Sequence, residues 1–433
     1  MTQRSVSLDK PFGGYDNAHV QWQVDEALTR VGPGTPGGEY LRRFWHPLAY
    51  TQSLGDLPKR VRILGEDLVL YKDCGGQIGL LTLNCSHRGT SLEFGLIEER
   101  GIRCCYHGWL YDFDGTILDT PGEPASSRIK ESVFQGAYPT HEFHGLVFAY
   151  MGPTEKLPPF PNFDTWNLPG YRLEPWGNNH LPCNWVQVKE NCMDPAHTAF
   201  LHTIGEGIGF TDSFGVIPEL EFQEVPNGEV YIGSRRVNDN VWIRSTNWIL
   251  PNIHQYAPTW EDGKATKIFS RAMQTHWAVP VDDTNTLNIG LNHYHEDDPP
   301  REVLETGANF GQACDRPYDE RQRVPGDYDA HTSIGPISVH ARENLGSTDI
   351  GVAMFRQILR NNIEIVAKGG DPPQPDIRDG QIQTYANDTV LKVPQSGDDA
   401  TDKELLRKVG RKVTAAIVSR DLNSLNDLSD LQT

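Results

Sequence analysis

Hydrophobic residues at helical spacing mark the start of the chain. They recur every three or four positions, and a Gly-Pro-Gly sequence at 32–34 then interrupts the pattern. We therefore predict a helical segment within residues 17–44. The residues that carry this pattern are Val20, Val24, Ala27, Leu28 and Val31.

Short hydrophobic runs separated by turn-forming residues replace this pattern between about Trp45 and Gly152. Runs of this kind, divided by Gly, Asp and Asn, are typical of the strands of a small antiparallel β domain. Asp112-Phe-Asp-Gly115 is a turn signal within it. The clearest runs are Val61–Leu64, Leu68–Tyr71, Ile78–Leu81, Trp109–Tyr111 and Leu146–Tyr150.

A second pattern begins after a stretch rich in proline and aromatic residues, Pro153–Pro169, which we predict to be an extended connection. Strand-like and helical patterns then alternate irregularly, and this mixture predicts an α+β domain with an antiparallel sheet. The strand-like runs lie at 230–250 and 266–292, and the helical patterns near 184–202, 347–368 and 402–419.

Composition narrows the class of protein. A chain of 433 residues with 37% hydrophobic and 22% charged residues predicts about two or three globular domains. The formal charge of -19 argues against a nucleic-acid partner, because phosphates require a basic surface. No apolar run approaches the length of a membrane span, and the first residues lack an apolar signal segment. Seven cysteines, an odd number, favour a reducing compartment, so we expect a cytoplasmic protein.

Two pairs of cysteine and histidine offer metal ligands within the predicted β domain. They are Cys85-Ser-His87 and Cys104-Cys105-Tyr-His107. Two thiolates and two imidazoles match a Rieske [2Fe-2S] centre, in which histidines replace cysteines on one iron. A structural zinc is the alternative, although each pair mixes one Cys with one His and so fits zinc-finger spacing poorly. Cys105 is an alternative ligand to Cys104, because Cys105-x-His107 repeats the spacing of the first pair.

A further group of ligand residues lies in the helical pattern near 184–202. Asp194 and His197 are three residues apart and share a helix face, whereas His202, five residues later, lies about 140° away on an unbroken helix. The two histidines therefore converge only if the helix bulges or ends between them. They are either structural histidines or part of a site with two histidines and one carboxylate, which binds non-haem Fe(II).

The two motifs together resemble one enzyme family. C-x-H-R-G followed by C-x-x-H-G-W resembles the Rieske domain of ring-hydroxylating oxygenases, and the downstream D-x2-H-x4-H is similar to the mononuclear iron motif of Rieske non-haem iron oxygenases. The resemblance runs from about residue 20 to 370 and is nearest to the phthalate-dioxygenase-like and aromatic O-demethylase-like group. It implies that Cys104 rather than Cys105 is the fourth ligand of a cluster that also binds Cys85, His87 and His107.

The resemblance also implies a mononuclear Fe(II) held by His197, His202 and a carboxylate. We expect Asp349 to be this carboxylate, since its segment resembles the one that supplies the third ligand in the family. Asp349 also suits the first turn of a helix that begins near Ser347, where a carboxylate stabilises the helix without binding metal. Asp327 and Asp329 are the alternatives.

The implied architecture has three parts. Residues 1–44 form an N-terminal helical segment that packs with the catalytic domain, and residues 45–153 form the antiparallel β Rieske domain. Residues 154–433 form a catalytic, helix-grip-like α+β domain with an antiparallel sheet. In the family, the aspartate that matches Asp194 bridges an iron histidine to a Rieske histidine of the neighbouring subunit. Asp194 would then connect His197 to His107 of another subunit in a homotrimer, either single or stacked in pairs as a hexamer.

The implied function is that of a terminal oxygenase. A reductase or ferredoxin passes electrons to the cluster, so NAD(P)H is used only indirectly, and a small aromatic substrate is hydroxylated or oxidatively O-demethylated with O2. Aromatic cis-dihydroxylation is the alternative reaction, and a Rieske electron carrier without oxygenase activity is the alternative of another class. Asp194 and Asn191 are the candidate catalytic residues. Phe200, Ile208 and Phe210 are candidate substrate contacts. Arg235, Arg236 and Arg244 are possible carboxylate-binding residues, although solvated faces are the default for arginines in strand-like sequence.

Overall fold

The computed structural model describes residues 21–204, 212–257, 271–296 and 316–428. Its first elements are two short helices, α1 (Glu26–Thr29) and α2 (Pro36–Leu41), which divide the predicted helical segment at the Gly-Pro-Gly sequence. The Thr35 side chain caps α2 by accepting a hydrogen bond from the Gly38 N–H at 3.2 Å. This segment packs against the second half of the chain, where the Asn184 side-chain amide donates to the Thr29 carbonyl at 2.8 Å.

A β domain follows and consists of three small antiparallel sheets among the described residues. Each run predicted as a strand overlaps one of its strands, so the antiparallel β prediction is confirmed. The strands are β1 Trp45–Tyr50, β2 Lys59–Ile63, β3 Glu66–Lys72, β4 Ile78–Thr82, β5 Leu96–Ile97, β6 Ile102–Arg103, β7 Leu110–Tyr111, β8 Ile117–Asp119, β9 Thr140–Phe143 and β10 Leu146–Tyr150. The sheet orders are β1-β10-β9, β2-β3-β4 and β5-β6-β7-β8, and a short helix α3 (Ile129–Ser132) follows β8.

The segment Pro153–Pro169, predicted as an extended connection, packs its aromatic side chains against both domains. Phe160 lies with its ring centroid 5.8 Å from that of Trp45, 5.2 Å from that of Phe143 and 5.0 Å from that of Phe148. Trp166 is only 5% exposed. Aromatic packing of this density joins the β domain to the following domain through one continuous core.

The second domain is built on a long antiparallel sheet, in which the described strands have the order β11-β17-β16-β15-β14-β13-β12. β20 pairs with the first half of β14, and β15 pairs with the second half along the same edge. The strands are β11 Tyr171–Leu181, β12 Glu219–Val225, β13 Gly228–Val237, β14 Asn240–Ile249, β15 Ile253–Tyr256, β16 Gln274–Asp282, β17 Asn285–His295 and β20 Asn387–Lys392, with a separate hairpin of β18 Ile377–Arg378 and β19 Gln381–Ile382.

Helices cover both faces of this sheet. On one face, Phe355 of a long helix packs against Trp248 with ring centroids 4.4 Å apart. On the other face, Val230 and Ile232 share a core with Val409 and Val413 of the C-terminal helix. The fold is therefore α+β, as predicted, with the sheet between two layers. The helices are α4 Trp185–Glu190, α5 Thr198–Ile204, α6 Tyr318–Arg323, α7 Asp327–Ser333, α8 Ile350–Ala367 and α9 Asp399–Ser419.

None of the described helices combines the length and the apolar composition that crossing a membrane requires.

Candidate metal centres

Two loops at one end of the β domain present the first group of ligand residues, and their backbones repeat one hydrogen-bond pattern. The Gly89 N–H donates to the Cys85 carbonyl at 2.8 Å, and the Gly108 N–H donates to the Cys104 carbonyl at 3.1 Å. Both glycines have positive φ, 79° and 74°, a conformation that favours glycine. The repeated pattern makes Cys104, not Cys105, the counterpart of Cys85.

The burial of the thiols agrees with this assignment. Cys85 is 4% exposed and Cys104 is 3% exposed, whereas Cys105 is exposed. Burial and the neighbouring Cys85 thiol raise the pKa of Cys104. The two inward thiols therefore face each other across the gap between the loops, and Cys105 remains a thiol on the outside.

The two histidines of these loops lie side by side and are half-buried. The ring centroids of His87 and His107 are 4.6 Å apart, and the His87 ring stacks on Trp109 at 4.5 Å with an interplanar angle of 4°. The His87 Nδ1 atom is buried and has no hydrogen-bond partner among the described residues. A buried nitrogen atom without a hydrogen-bond partner destabilises the fold unless it binds a ligand. A histidine nitrogen that binds a metal ion is left without a protein partner in this way.

Side chains around the loops hold the thiols in place. Tyr111 Oη lies 2.9 Å from Cys85 Sγ, and the Ser86 hydroxyl donates to Tyr111 Oη at 3.3 Å. Gln135 accepts a hydrogen bond from the Ser86 N–H at 2.8 Å through Oε1. Hydrogen bonds to a cluster sulfur of this kind adjust its reduction potential.

The second group of ligands lies where a helix is interrupted. α4 ends at Glu190, a 3-10 turn covers Asn191–Met193, and α5 starts at Thr198, directly after His197. Because His197 precedes the helix that contains His202, the two rings converge to 5.1 Å between centroids. The break that their spacing requires is therefore present.

A carboxylate meets these histidines at the start of α7. Asp327 Oδ1 lies 3.7 Å from His197 Nε2, and Asp327 Oδ2 lies 3.7 Å from His202 Nε2. The three ligand atoms all lie within 4.8 Å of one another. The Asn191 amide nitrogen lies 3.2 Å from His197 Nε2 and 3.3 Å from Asp327 Oδ1, so it connects two of the three groups.

The position of Asp349 corrects the expected choice of carboxylate. Among the described residues, the group within metal-binding distance contains Asp327 and does not contain Asp349. Asp349 instead accepts a hydrogen bond from the Gly346 N–H at 2.7 Å and closes the 3-10 turn Ser347–Asp349 that leads into α8. Asp329, the other alternative, forms an ion pair with Arg316 at 2.8 Å.

The electrostatics of this group favour metal binding. Burial lowers the pKa of His202 to about 4, although the nearby Asp327 charge acts in the opposite direction. The imidazole is therefore neutral at neutral pH, which is the form that binds metal. His197 Nδ1 hydrogen-bonds to the Asp194 carbonyl, and this contact leaves Nε2 directed at the other two ligands.

Asp194 lies beside this group with its carboxylate half-exposed. Its Oδ2 atom is 3.8 Å from His197 Nδ1, and Oδ1 accepts a hydrogen bond from the Ala196 N–H at 3.2 Å. The structure therefore brings Asp194 and Asn191 next to the ligand His197. Of the predicted substrate contacts, Phe200 is 62% exposed on α5, and Ile208 and Phe210 lie outside the described residues.

A second cluster of metal-ligand types already contains a positively charged side chain. Glu190, His340 and Glu343 bring their ligand atoms within 4.8 Å of one another. Arg356 Nη2, however, donates to Glu190 at 2.8 Å and to Glu343 at 3.1 Å. The guanidinium supplies the positive charge that the two carboxylates need, so we assign this cluster a structural role.

Of the arginines named from the sequence as possible carboxylate-binding residues, Arg244 packs its guanidinium among other side chains of the sheet. Arg244 of β14 donates to Tyr231 Oη at 2.7 Å, and its guanidinium lies 5.8 Å from the Tyr256 ring centroid. Burial and, to a smaller extent, the positive charge of Arg244 lower the pKa of His202. Its strand-like sequence does not indicate that this arginine is directed inwards. Arg236, by contrast, forms an ion pair with Asp402 at 2.6 Å.

Comparisons with known proteins identify the β domain and relate most of the chain to oxygenase subunits. Residues 44–139 match the Rieske [2Fe-2S] domain. The chain is 42% identical to the tert-butanol monooxygenase / tert-amyl alcohol desaturase oxygenase subunit of Aquincola tertiaricarbonis, over 91% of this chain and 88% of the relative. It is 33% identical to the 5,5'-dehydrodivanillate O-demethylase oxygenase subunit of Sphingobium sp., over 83% of this chain and 84% of the relative.

The fold is also similar to a solved structure. NdmA of Pseudomonas putida CBB5, a QL mutant with theobromine, superimposes with a TM-score of 0.59 over 77% of this chain and 93% of that chain. The identity is 22%, so this likeness concerns the fold alone.

Proposed function

The chain belongs to the terminal oxygenase subunits of the Rieske non-haem iron oxygenases, and we propose that it is a monooxygenase that hydroxylates or oxidatively O-demethylates a small aromatic compound. Electrons come from a reductase or ferredoxin partner, which uses NAD(P)H. The chain then has three parts, which are an N-terminal segment (1–44), a Rieske domain (45–153) and a catalytic domain (154–433). Exposed free thiols, Cys74 and Cys105, favour a reducing compartment, the cytoplasm.

One observation carries this proposal. His197, His202 and Asp327 meet within 4.8 Å in a chain that has a separate Rieske domain. Two neutral imidazoles and one carboxylate are the donor set that binds Fe(II) in non-haem oxygenases and leaves positions for other ligands. An electron carrier has no use for this second group of residues.

The loop residues fit a [2Fe-2S] cluster equally well. The two inward thiols suit one iron, and the buried, unpartnered His87 Nδ1 suits the other. The cluster ligands are therefore proposed to be Cys85, His87, Cys104 and His107. When both groups are bound, the cluster supplies single electrons and the mononuclear iron supplies O2 activation.

The residues of the chain prepare the iron ligands for this task. The Asp194 carbonyl fixes the orientation of His197, and the Asn191 amide donates a hydrogen bond to Asp327 Oδ1. These contacts restrict the ligand geometry before the metal binds, which favours metal affinity. We assign Asn191 a positioning role.

We further propose that Asp194 connects His197 to His107 of a neighbouring subunit in a head-to-tail homotrimer, either single or stacked in pairs as a hexamer. Support comes from the half-exposed Asp194 carboxylate, 3.8 Å from His197 Nδ1, and from the half-buried His107 in the loop between β6 and β7. A bridge of this kind makes the site complete only in the assembled ring.

Oxygenation with ¹⁸O2 and a surrogate reductase tests the proposed function. The panel contains aromatic acids, methoxylated aromatics and tertiary alcohols, and mass spectrometry reads the products. A monooxygenase adds one labelled atom to a substrate or removes a methyl group. Two added atoms indicate the alternative, a cis-dihydroxylating dioxygenase. The proposal is contradicted if no substrate gives a product and O2 oxidises the cluster as fast in the wild type as in the His202→Ala variant. That result favours an electron carrier.

A further inference from the structure

Helix α7 carries the proposed iron ligand Asp327 and depends on its neighbours for its position. Its seven residues are too few for a helix to be stable in isolation. Its first turn is closed locally, because the Asp329 carboxylate accepts a hydrogen bond from the Gly326 N–H at 3.1 Å and pairs with Arg316 at 2.8 Å. These contacts stabilise the helix, but they do not determine where it lies relative to the two ligand histidines.

Gln187 of α4 binds the far end of α7. This side chain is 4% exposed, and its Nε2 atom donates to the His331 carbonyl at 2.8 Å and to the Gly335 carbonyl at 2.9 Å. Its Oε1 atom accepts a hydrogen bond from the Ser338 N–H at 2.8 Å. Carbonyls in the last turn of a helix have no partner within the helix, so Gln187 supplies a partner to the end of α7.

The end of α4 contacts the start of α7. The amide of Asn191, the residue that caps α4, donates to Asp327 Oδ1 at 3.3 Å. Gln187 and Asn191 are four residues apart, and so are Asp327 and His331. Residues at this spacing lie on one face of a helix. The two helices therefore run antiparallel and are joined by two contacts in matching register.

Apolar packing lies between these two contacts. Val188 of α4 and Tyr328 of α7 share a small core with residues of the sheet. Apolar burial stabilises the pair of helices, but it is not directional and allows a helix to turn or slide. Hydrogen bonds require particular atoms at about 2.9 Å, so the polar contacts are the ones that fix the register.

The register of α7 determines where the Asp327 carboxylate lies. Its two oxygens are 3.7 Å from His197 Nε2 and from His202 Nε2. A slide of α7 by one residue corresponds to about 1.5 Å along its axis. A slide of this size breaks the hydrogen bonds from Gln187 and moves the carboxylate by a similar distance relative to the two histidines.

We propose that Gln187 is a positioning residue for the iron site, because its amide sets the register of α7 on α4 and thereby holds the Asp327 carboxylate against the two ligand histidines. The inference rests on the proposed function for the identity of the metal. It goes further by assigning the position of the third ligand to a side chain that binds backbone groups at the opposite end of α7.

The affinity for Fe(II) tests this role, with Gln187→Met as the test variant and Gln255→Met as the matched control. Gln255 is also buried, and its Nε2 atom also donates two hydrogen bonds, to the Thr165 and Thr275 hydroxyls at 2.9 Å each. Its partners lie outside α4 and α7. Each substitution removes one buried amide of the same size, so both are expected to lower the Tm by similar amounts.

Anaerobic equilibrium dialysis against Fe(II) measures the affinity, and the Rieske absorbance measures the amount of folded protein. Groups that orient metal ligands typically contribute about 10–100-fold to metal affinity, and we expect Gln187→Met to weaken Fe(II) binding by this factor. Gln255→Met is expected to bind Fe(II) as the wild type does, although its Tm is lowered.

A double-mutant cycle with Asp327→Asn shows whether Gln187 acts through this ligand. If it does, Gln187→Met adds little to the loss of affinity in Asp327→Asn, where no carboxylate remains to be positioned. A general loosening of the domain adds its full effect instead. Electron paramagnetic resonance of the nitric oxide adduct of Fe(II), at saturating iron, gives a second readout. A displaced carboxylate changes the rhombicity of this signal in Gln187→Met and leaves it unchanged in Gln255→Met.

The variant is expected to remain folded, because a backbone hydrogen bond from the Asn184 N–H to the Pro336 carbonyl, 2.8 Å long, still attaches the segment after α7 to α4. If Gln187→Met does not fold, Gln187→Asn takes its place. This variant keeps the amide but is one methylene shorter, and a smaller loss of Fe(II) affinity in the same direction is expected.

The inference is overturned if the Gln187 variant binds Fe(II) as tightly as Gln255→Met. It is also overturned if the effect of the variant adds in full to that of Asp327→Asn, or if the nitric oxide signal is unchanged at saturating iron. Failure of the proposed function has a different signature. A chain whose Fe(II) affinity depends on Gln187 in this way, but which forms no oxygenated product, keeps the positioning role and loses only the reaction.

Discussion

Replacing Asp327 with asparagine tests which carboxylate completes the iron site. The substitution keeps the size of the side chain and an oxygen for the contact with Asn191, 3.3 Å away, but removes the negative charge that faces His197 and His202. Residues that only support metal ligands typically contribute about 10–100-fold to metal affinity. The loss of a direct ligand is therefore expected to weaken Fe(II) binding by more than about 100-fold, or about 2.7 kcal/mol.

The same substitution has a small expected effect on folding. Asp327 is the first residue of α7, where a negative charge contributes about 0.3–1 kcal/mol through the helix dipole. The weakened hydrogen bond from Asn191 lowers the free energy of unfolding by about 1 kcal/mol more. The total is a small part of the stability of a chain of this size, so the variant is expected to remain folded and to retain the Rieske absorbance.

Equilibrium dialysis against Fe(II) under anaerobic conditions measures the affinity, and the Rieske absorbance serves as the internal measure of folded protein. Asp349→Asn is the matched control, because it removes a carboxylate that stabilises the start of α8 and is expected to cost about 1 kcal/mol of stability without loss of iron. Iron lost from Asp349→Asn and retained by Asp327→Asn is the result that refutes this assignment.

Three further predictions concern the cluster, the subunit contact and pH. Tyr111→Phe removes the hydroxyl 2.9 Å from Cys85 Sγ. Because a hydrogen bond to this sulfur favours the reduced, more negative cluster, its loss is expected to lower the reduction potential of the cluster by up to roughly 60 mV. A redox titration measures the potential, and an unchanged value contradicts a role for Tyr111 in setting it. Asp194→Ala is expected to leave both metals bound while turnover collapses, as iron analysis and a product assay will show; normal turnover refutes the bridge. Burial lowers the pKa of His46 to about 4, so between about pH 6.5 and 4 this histidine is protonated in the unfolded chain but not in the folded one. The free energy of unfolding therefore falls by up to about 1.4 kcal/mol per pH unit as the pH falls through this range. Urea titrations of His46→Gln are expected to show a weaker dependence of this free energy on pH.

The cluster ligands were accessible from sequence because each pair lies in one short loop. Spacing and ligand type alone indicate Cys85 with His87 and Cys104 or Cys105 with His107, and the repeated loop hydrogen bonds now favour Cys104. The strands of the β domain were also predictable, since short runs with turn residues between them are a local signal. What the sequence does not contain is the burial that distinguishes Cys104 from its neighbour.

The third iron ligand required information that no local pattern holds. Asp327 and Asp349 both begin helices, and the sequence around each one indicates a helix start equally well. The choice between them depends on how α7 lies relative to α5, which is a matter of tertiary packing. The inward direction of Arg244 was hidden for the same reason, because a strand pattern does not indicate which way its polar residues face.

The central claim is that one chain carries two metal centres of different kinds. The most direct test is the amount of iron and acid-labile sulfide per chain in the fully loaded protein and in the His202→Ala variant. We predict about three irons and two sulfides for the wild type, and about two of each for the variant with its Rieske spectrum unchanged, because a [2Fe-2S] cluster accounts for two irons. Two irons in both proteins contradict the claim.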